Sequence, residues 1–172
     1  MKTILFHDEV KNINELVEKI SEINDAPELN EVKVGVICFL FDKDGKLVFN
    51  RRGPGARDDI GKLQALGGSI NGNDPDFRSA MKRELMEEAG IGDASVNEFI
   101  GAIVDSKYDK NSGKVVDWVI LAYKGLVGND ELKNMEPERC VGFEHKSYDE
   151  IDYNDMGETA ASFVDYLRNS GM

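Results

Sequence analysis

Cysteine, histidine and basic residues are scarce in this chain of 172 residues, and each shortage removes a class of explanation. The two cysteines, Cys38 and Cys140, stand far apart without metal-ligand spacing. Neither a disulfide framework nor a thiolate metal centre is therefore expected, and Cys38, inside the apolar run Val34 to Phe41, reads as a small buried hydrophobe. The two histidines, His7 and His145, are isolated and read as structural or exposed. Lys and Arg number 21 against 33 Asp and Glu, a formal net charge of −12. That balance argues against a nucleic-acid polymer as partner, because such binders work by neutralising backbone phosphates. A phosphate-bearing small molecule stays admissible if divalent cations stand between it and the carboxylates. No apolar run approaches a membrane span, and only Ile4-Leu5-Phe6 precede His7, too few for a signal h-region, so a cytoplasmic protein without a membrane partner is expected.

What is present is an ordinary globular composition, 41% hydrophobic and 31% charged, enough for one domain with a real core. Residues 1–31 read as an extension. Ile13, Leu16, Val17, Ile20 and Ile23 recur at helical spacing between Asn12 and Asn24, and Asp25-Ala26-Pro27 closes the helix. That helix covers the edge of the core or a second copy of the chain; a homodimer stays open. Val32 to Phe41 reads as a strand buried on both faces, and Lys46 to Arg52 follows the turn Asp42-Lys43-Asp44-Gly45 as its hairpin partner. A polar loop from Gly53 leads to the apolar stretch Leu63 to Leu66 and a Gly67-Gly68 turn. A helix is expected from Pro75 to Ala89, strands over Phe99–Val104, Val115–Tyr123 and Cys140–His145, and a last helix over Glu158–Arg168. The order is mixed, which favours an α+β fold over regular βαβ alternation.

The informative segment is the Pro75–Ala89 helix. Phe77, Ala80, Met81, Leu85 and Ala89 form its packing face, while Glu84, Glu87 and Glu88 at i, i+3 and i+4 put three carboxylates on one turn. Like charges at that spacing repel, and the C-terminal end of a helix disfavours anions. A divalent cation with oxygen ligands removes both penalties. A bare E-x-x-E-E is ordinarily a solvated acidic face. Here Arg83 precedes the first carboxylate and Gly90 ends the helix, and Arg-Glu-x-x-Glu-Glu-x-Gly arises by accident on the order of once in several thousand chains of this length.

Gly68 through Ile91 resembles the signature of the MutT/Nudix hydrolases, G-x5-E-x7-R-E-U-x-E-E-x-G-U with U a bulky apolar residue. Arg83-Glu84-Leu85-Met86-Glu87-Glu88-Ala89-Gly90-Ile91 matches the second half at every defined position, and Gly68, preceded by Gly67, takes the place of the leading glycine. The first half departs: Asp74 stands where the family has Glu, with one extra residue before Arg83. Asp74 can pair with Arg83, as the family's Glu does, and can cap the helix ahead of Pro75, two roles that do not exclude each other. The likeness runs from about Val32 to Ile151, and the domain assigned to it spans 32–172.

The resemblance implies an α+β fold with a mixed sheet between helices. It also implies hydrolysis of the diphosphate linkage of a nucleotide-type small molecule with Mg²⁺ or Mn²⁺ as cofactor. Glu84, Glu87 and Glu88 would ligate the metal with the Gly68 carbonyl, and Arg83 would orient a carboxylate. The general base would come from Glu138, with Glu136 second, in a stretch that resembles the E-P-E-x-C segment of some nucleotide-cleaving members. Arg51 and Arg52 are candidates for phosphate, at most one of them facing the site because strand neighbours point to opposite faces. Trp118 is a candidate for stacking on a base, or part of the core. The competing readings are a Nudix-fold sensor that binds without hydrolysis, an isoprenoid diphosphate isomerase of the same superfamily, which the lack of His and Cys ligands disfavours, and an acidic interaction domain.

Overall fold

The computed structural model of the chain describes residues 1–24 and 32–172. Its organising element is β1 (Lys33–Phe41). Every residue of that strand pairs in parallel with β6 (Lys114–Leu126), from Lys33↔Trp118 to Phe41↔Leu126. The opposite edge of β1 is shared: β4 (Leu66–Ser69) pairs antiparallel along Gly35–Cys38, and β2 (Leu47–Arg52) takes over at Leu40 and Phe41. The turn between β1 and β2 closes as expected, with the Asp42 N–H bonded to the Lys46 carbonyl at 2.8 Å and Gly45 at φ +77°. Beyond β2 lie β3 (Leu63–Gln64) and β7 (Cys140–Lys146), and β5 (Ser95–Asp109) closes the other side on β6.

Alternation along β1 divides the core. Val36, Cys38 and Leu40 face one layer, where α1 (Ile13–Ser21) contributes Leu16 and Ile20 and α2 (Phe77–Ala89) contributes Phe77, Ala80, Met81, Leu85 and Ala89. Phe39 and Phe41 face the other, under Phe163, Val164 and Leu167 of α3 (Glu158–Asn169). The result is the α+β architecture anticipated, a mixed sheet between helical layers. Residues 1–24 belong to that packing. The Leu5 N–H bonds to the Ala102 carbonyl at 2.8 Å, the Phe77 N–H bonds to the Lys11 carbonyl at 2.8 Å, and Phe6 and Val10 are buried.

Several boundaries move, each for a physical reason. Asn12 caps α1 by accepting from the Glu15 N–H, and the helix ends at Ser21; the expected closure at Asp25-Ala26-Pro27 lies outside the described residues. The stretch from Leu63 splits into β3 and β4, so Gly67 and Gly68 are strand residues and not a turn. Strands β5 and β6 run past their apolar centres to Asp109 and Lys114, where the ladder continues through polar pairs such as Ser106↔Asp117. Among the described residues no helix is long and apolar enough to cross a membrane.

Candidate active site

Helix α2 starts at Phe77, two residues later than expected, because Asp76 and not Asp74 is its cap: the Asp76 side chain accepts from the Ser79 N–H at 2.7 Å. Asp74 is thereby free for Arg83, which donates Nε and Nη2 to its two oxygens, both at 2.9 Å. The extra residue in the first half of the motif is absorbed here, with capping and pairing divided between two aspartates. Arg83 also donates to the Ser69 carbonyl at 2.9 Å, to Glu84 Oε1 at 2.9 Å and to Glu87 Oε2 at 3.0 Å. One guanidinium thus ties the loop, β4 and the acidic turn together. It holds the Asp74 carboxyl below the usual carboxylate range.

The three glutamates differ in setting. Glu87 is half exposed, whereas the Glu84 side chain is 10% exposed and Glu88 is 7% exposed. Glu84 lies over Gly68, where a Cβ would fall 2.6 Å from Glu84 Oε2, so the glycine makes room for the carboxylate. Glu88 Oε2 accepts from the Gly67 N–H at 3.0 Å. Main-chain polar groups alternate in direction along a strand. The Gly67 N–H and the Ser69 carbonyl both point away from β1, so the Gly67 carbonyl turns toward the same edge as Glu88. The Gly68 carbonyl, the one expected from the sequence, faces β1 opposite Val36.

Gly90, at φ +66°, ends α2 as expected, its N–H on the Met86 carbonyl. Two further helix carbonyls are satisfied from outside: the Lys133 N–H bonds to Ala89 O at 2.8 Å and the Met135 N–H to Glu88 O at 3.1 Å. That anchoring delivers the next residue, Glu136, to the cleft wall. Burial pushes the Glu88 carboxyl well above its ordinary value, and the charges of Glu84 and Glu136 push in the same direction. Burial also raises Glu84, against the opposing pull of Arg83.

These groups line a cleft of about 220 Å³ together with Arg52, Arg57 and Arg139. Of the two candidate bases, Glu136 lines this cleft, while Glu138 is exposed and does not, its carbonyl bonded to the Gly55 N–H. Of the strand arginines, Arg52 lines the cleft, bonded to Asp58 Oδ1 at 3.1 Å. Arg51 turns away and forks onto Glu144 and Asp155 at 2.6 to 2.9 Å. Trp118 is only 6% exposed and lines an adjoining pocket that shares Arg52, Arg57, Gly67 and Gly68 with the cleft. Arg57 and Arg139 escaped the sequence reading because each sits in an irregular segment with no periodicity to give it a direction.

No three His, Cys, Asp or Glu side chains converge as a ready-made metal cage among the described residues. The donor set is nevertheless all oxygen, and its two buried carboxylates stand side by side with a main-chain N–H as the bonded partner of Glu88. That is an open, hard-ligand arrangement of the kind Mg²⁺ completes with water and substrate oxygens.

The model of the NUDIX domain family matches residues 31–167. No curated protein matches the chain. Among solved structures, the MutT Nudix hydrolase from Burkholderia pseudomallei superposes with a TM-score of 0.60 at 20% identity, covering 77% of this chain and 95% of that one. The MutT protein from Methanosarcina mazei Go1 gives 0.66 at 17% identity, over 84% and 99%. The Nudix domain of Shewanella oneidensis NrtR, complexed with ADP-ribose, gives 0.64 at 14%, over 82% and 89%. At such identities these structures speak for the fold.

Proposed function

The chain belongs to the Nudix family of hydrolases, and from that premise we propose that it cleaves the diphosphate linkage of a nucleoside diphosphate derivative with Mg²⁺ or Mn²⁺. The observation that carries this reading is Glu88: a carboxylate buried at the C-terminal end of a helix, next to Glu84 and Glu136, with no ion-pair partner among the described residues. Such a group is disfavoured unless a cation or a proton joins it. Glu84, Glu87, Glu88 and the Gly67 carbonyl would hold the metal, with Arg83 fixing the first two carboxylates. When bound, a divalent metal lowers the pKa of water and screens phosphate oxygens.

The remaining roles fall to the chain's own groups. Hydrolysis adds water across one P–O bond of the anhydride, so the attacking water must give up a proton as its oxygen bonds to phosphorus. Glu136, half-buried on the cleft wall, is the side chain assigned to accept that proton. Arg52, Arg57 and Arg139 line the same cleft as the acidic turn and would hold the phosphate oxygens that the turn repels. ADP-ribose, the compound held by the Shewanella domain, is one substrate with the required linkage.

The test is a turnover assay on ADP-ribose, nucleoside triphosphates, dinucleoside polyphosphates and nucleotide sugars, with Mg²⁺, with Mn²⁺ and after chelation. At least one compound should be hydrolysed only with metal, and Glu87→Gln should lower its rate at least tenfold to a hundredfold, roughly the range for disturbing a metal's ligand shell. Metal-dependent binding of these compounds without turnover would replace the hydrolase reading with the sensor reading. Turnover that survives chelation would remove the metal from the proposal.

A further inference from the structure

Arg57 is the residue that the active-site cleft shares with both neighbouring cavities, the Trp118 pocket and an outer one of about 460 Å³ beneath the 53–62 loop. Two other cations of this region are tied down. Arg52 is bonded to Asp58, and Lys107 is bonded to Asp59 at 2.5 Å with Asp105 at 3.5 Å. The half-buried Arg57 side chain makes no ion pair and no hydrogen bond among the described residues. Its guanidinium lies over the Trp118 ring instead, 5.0 Å from the centroid. A partly desolvated guanidinium with five unmatched donors, held only by a cation–π contact, is poorly satisfied where it stands. Arg139 also has no carboxylate partner among the described residues, but it is exposed, so its guanidinium is not desolvated.

Resting on the hydrolase reading above, we propose that Arg57 is a substrate-binding residue with two seats. In the free protein it covers Trp118; when a diphosphate enters the cleft it moves onto the phosphate oxygens and leaves the indole face to a flat aromatic base. The base of the nucleoside diphosphate derivative proposed above would thereby gain a seat on the ring that Arg57 vacates. The pocket adds small and apolar walls beside the indole: Gly35, whose missing Cβ would touch the Trp118 ring edge at 3.4 Å, and Ile37 and Ile120. Lys33 also approaches the ring, at 5.6 Å, but does not line the cleft and has no second seat there.

Trp118 is the only tryptophan, so its emission reports this exchange directly. Two inert probes separate the seats: methylenediphosphonate, the head group alone, and α,β-methylene-ADP, the same head with adenosine, each with Mg²⁺ and each followed in parallel by calorimetry. Methylenediphosphonate should change Trp118 emission in wild type, and α,β-methylene-ADP should quench it by stacking. Arg57→Met should lose the diphosphonate response and bind that probe roughly tenfold to a hundredfold more weakly, as expected for removing a charge-assisted hydrogen bond. Quenching by α,β-methylene-ADP should persist in this variant. Arg57→Lys keeps a phosphate-binding charge without the flat stack, and should retain most affinity while the diphosphonate response fades. Calorimetric binding of methylenediphosphonate with unchanged emission in wild type would overturn the movement, and bound α,β-methylene-ADP without quenching would overturn the aromatic seat. Failure of both probes to bind would instead bring down the hydrolase reading and this proposal together.

Discussion

Two adjacent glycines offer a sharp test of how the site is built. In Gly68→Ala the new Cβ would fall 2.6, 2.7 and 2.8 Å from Oε2, Cδ and Oε1 of Glu84. All three atoms are the far end of one flexible side chain, held by a single Arg83 bond of 2.9 Å. Glu84 can rotate away, losing that bond but also escaping its burial beside Glu88. The net loss of unfolding free energy should be about 1 kcal/mol, the scale of one hydrogen bond. In Gly67→Ala the Cβ would run into the Val36 carbonyl oxygen and lie 2.7 Å from Ile37 Cα, both in the backbone of β1. That strand is paired with β6 over its whole length and cannot give, and Gly67 has φ +155°, a conformation side chains avoid. Overpacking and backbone strain together should cost on the order of 3 kcal/mol or more. Since 1 kcal/mol moves Tm by roughly 2–4 °C in a domain of this size, Gly68→Ala should melt a few degrees low and Gly67→Ala about 10 °C low. Metal-dependent turnover should fall at least tenfold in Gly68→Ala although the fold survives. Circular dichroism melts in metal-free buffer, paired with turnover in Mg²⁺, measure both. Full activity in Gly68→Ala, or equal melting losses in the two variants, would refute the placement of Glu84 over that glycine.

Two further outcomes follow from the ion pairs. Arg51→Met, which strips Glu144 and Asp155 of their shared cation outside the cleft, should lower stability by about 1 kcal/mol in denaturant titration and leave turnover unchanged. Asp74 is held below its ordinary value by Arg83, so its contribution is present above the unfolded-state pKa and disappears as pH falls through the lowered folded value. Stability measured from neutral pH into the acid range should therefore fall less steeply in Asp74→Asn than in wild type, starting from a lower plateau; parallel curves would contradict the pairing.

The sequence disclosed most where burial and periodicity coincide. The apolar run of β1 and the packing face of α2 were legible because each satisfies one geometric period with side chains that a core requires. The Arg83–Glu88 turn was legible for the opposite reason, since it sets repulsive charges where a helix tolerates them least. The start of α2 was misjudged because Asp74-Pro75 and Asp76 offer equal capping chemistry; only the demand of Arg83 for a bidentate partner decides between them. Glu136 and Glu138 sit in a turn where both the Arg139 and Cys140 N–H groups close on the Glu136 carbonyl, so no alternation rule says which acid faces inward. Arg57 was invisible because the residues it meets in the adjoining pocket, Trp118 and Lys107, are remote in sequence. The reach of β5 was underestimated because Asp105 to Asp109 is largely polar and is held by its ladder to β6, whose Val115 and Val116 were within the expected strand.

The leading 24 residues carry a consequence for how this protein tolerates change. The matched family span opens at residue 31, yet Phe6, Val10, Leu16 and Ile20 are interior to the same apolar layer as Leu66 and Leu85. A polar replacement at Leu16 is thus as much a lesion of the interior as one at Leu85, and it reaches the acidic turn through the very helix that carries it. The interior on which the acidic turn depends therefore begins ahead of the span by which the family is matched.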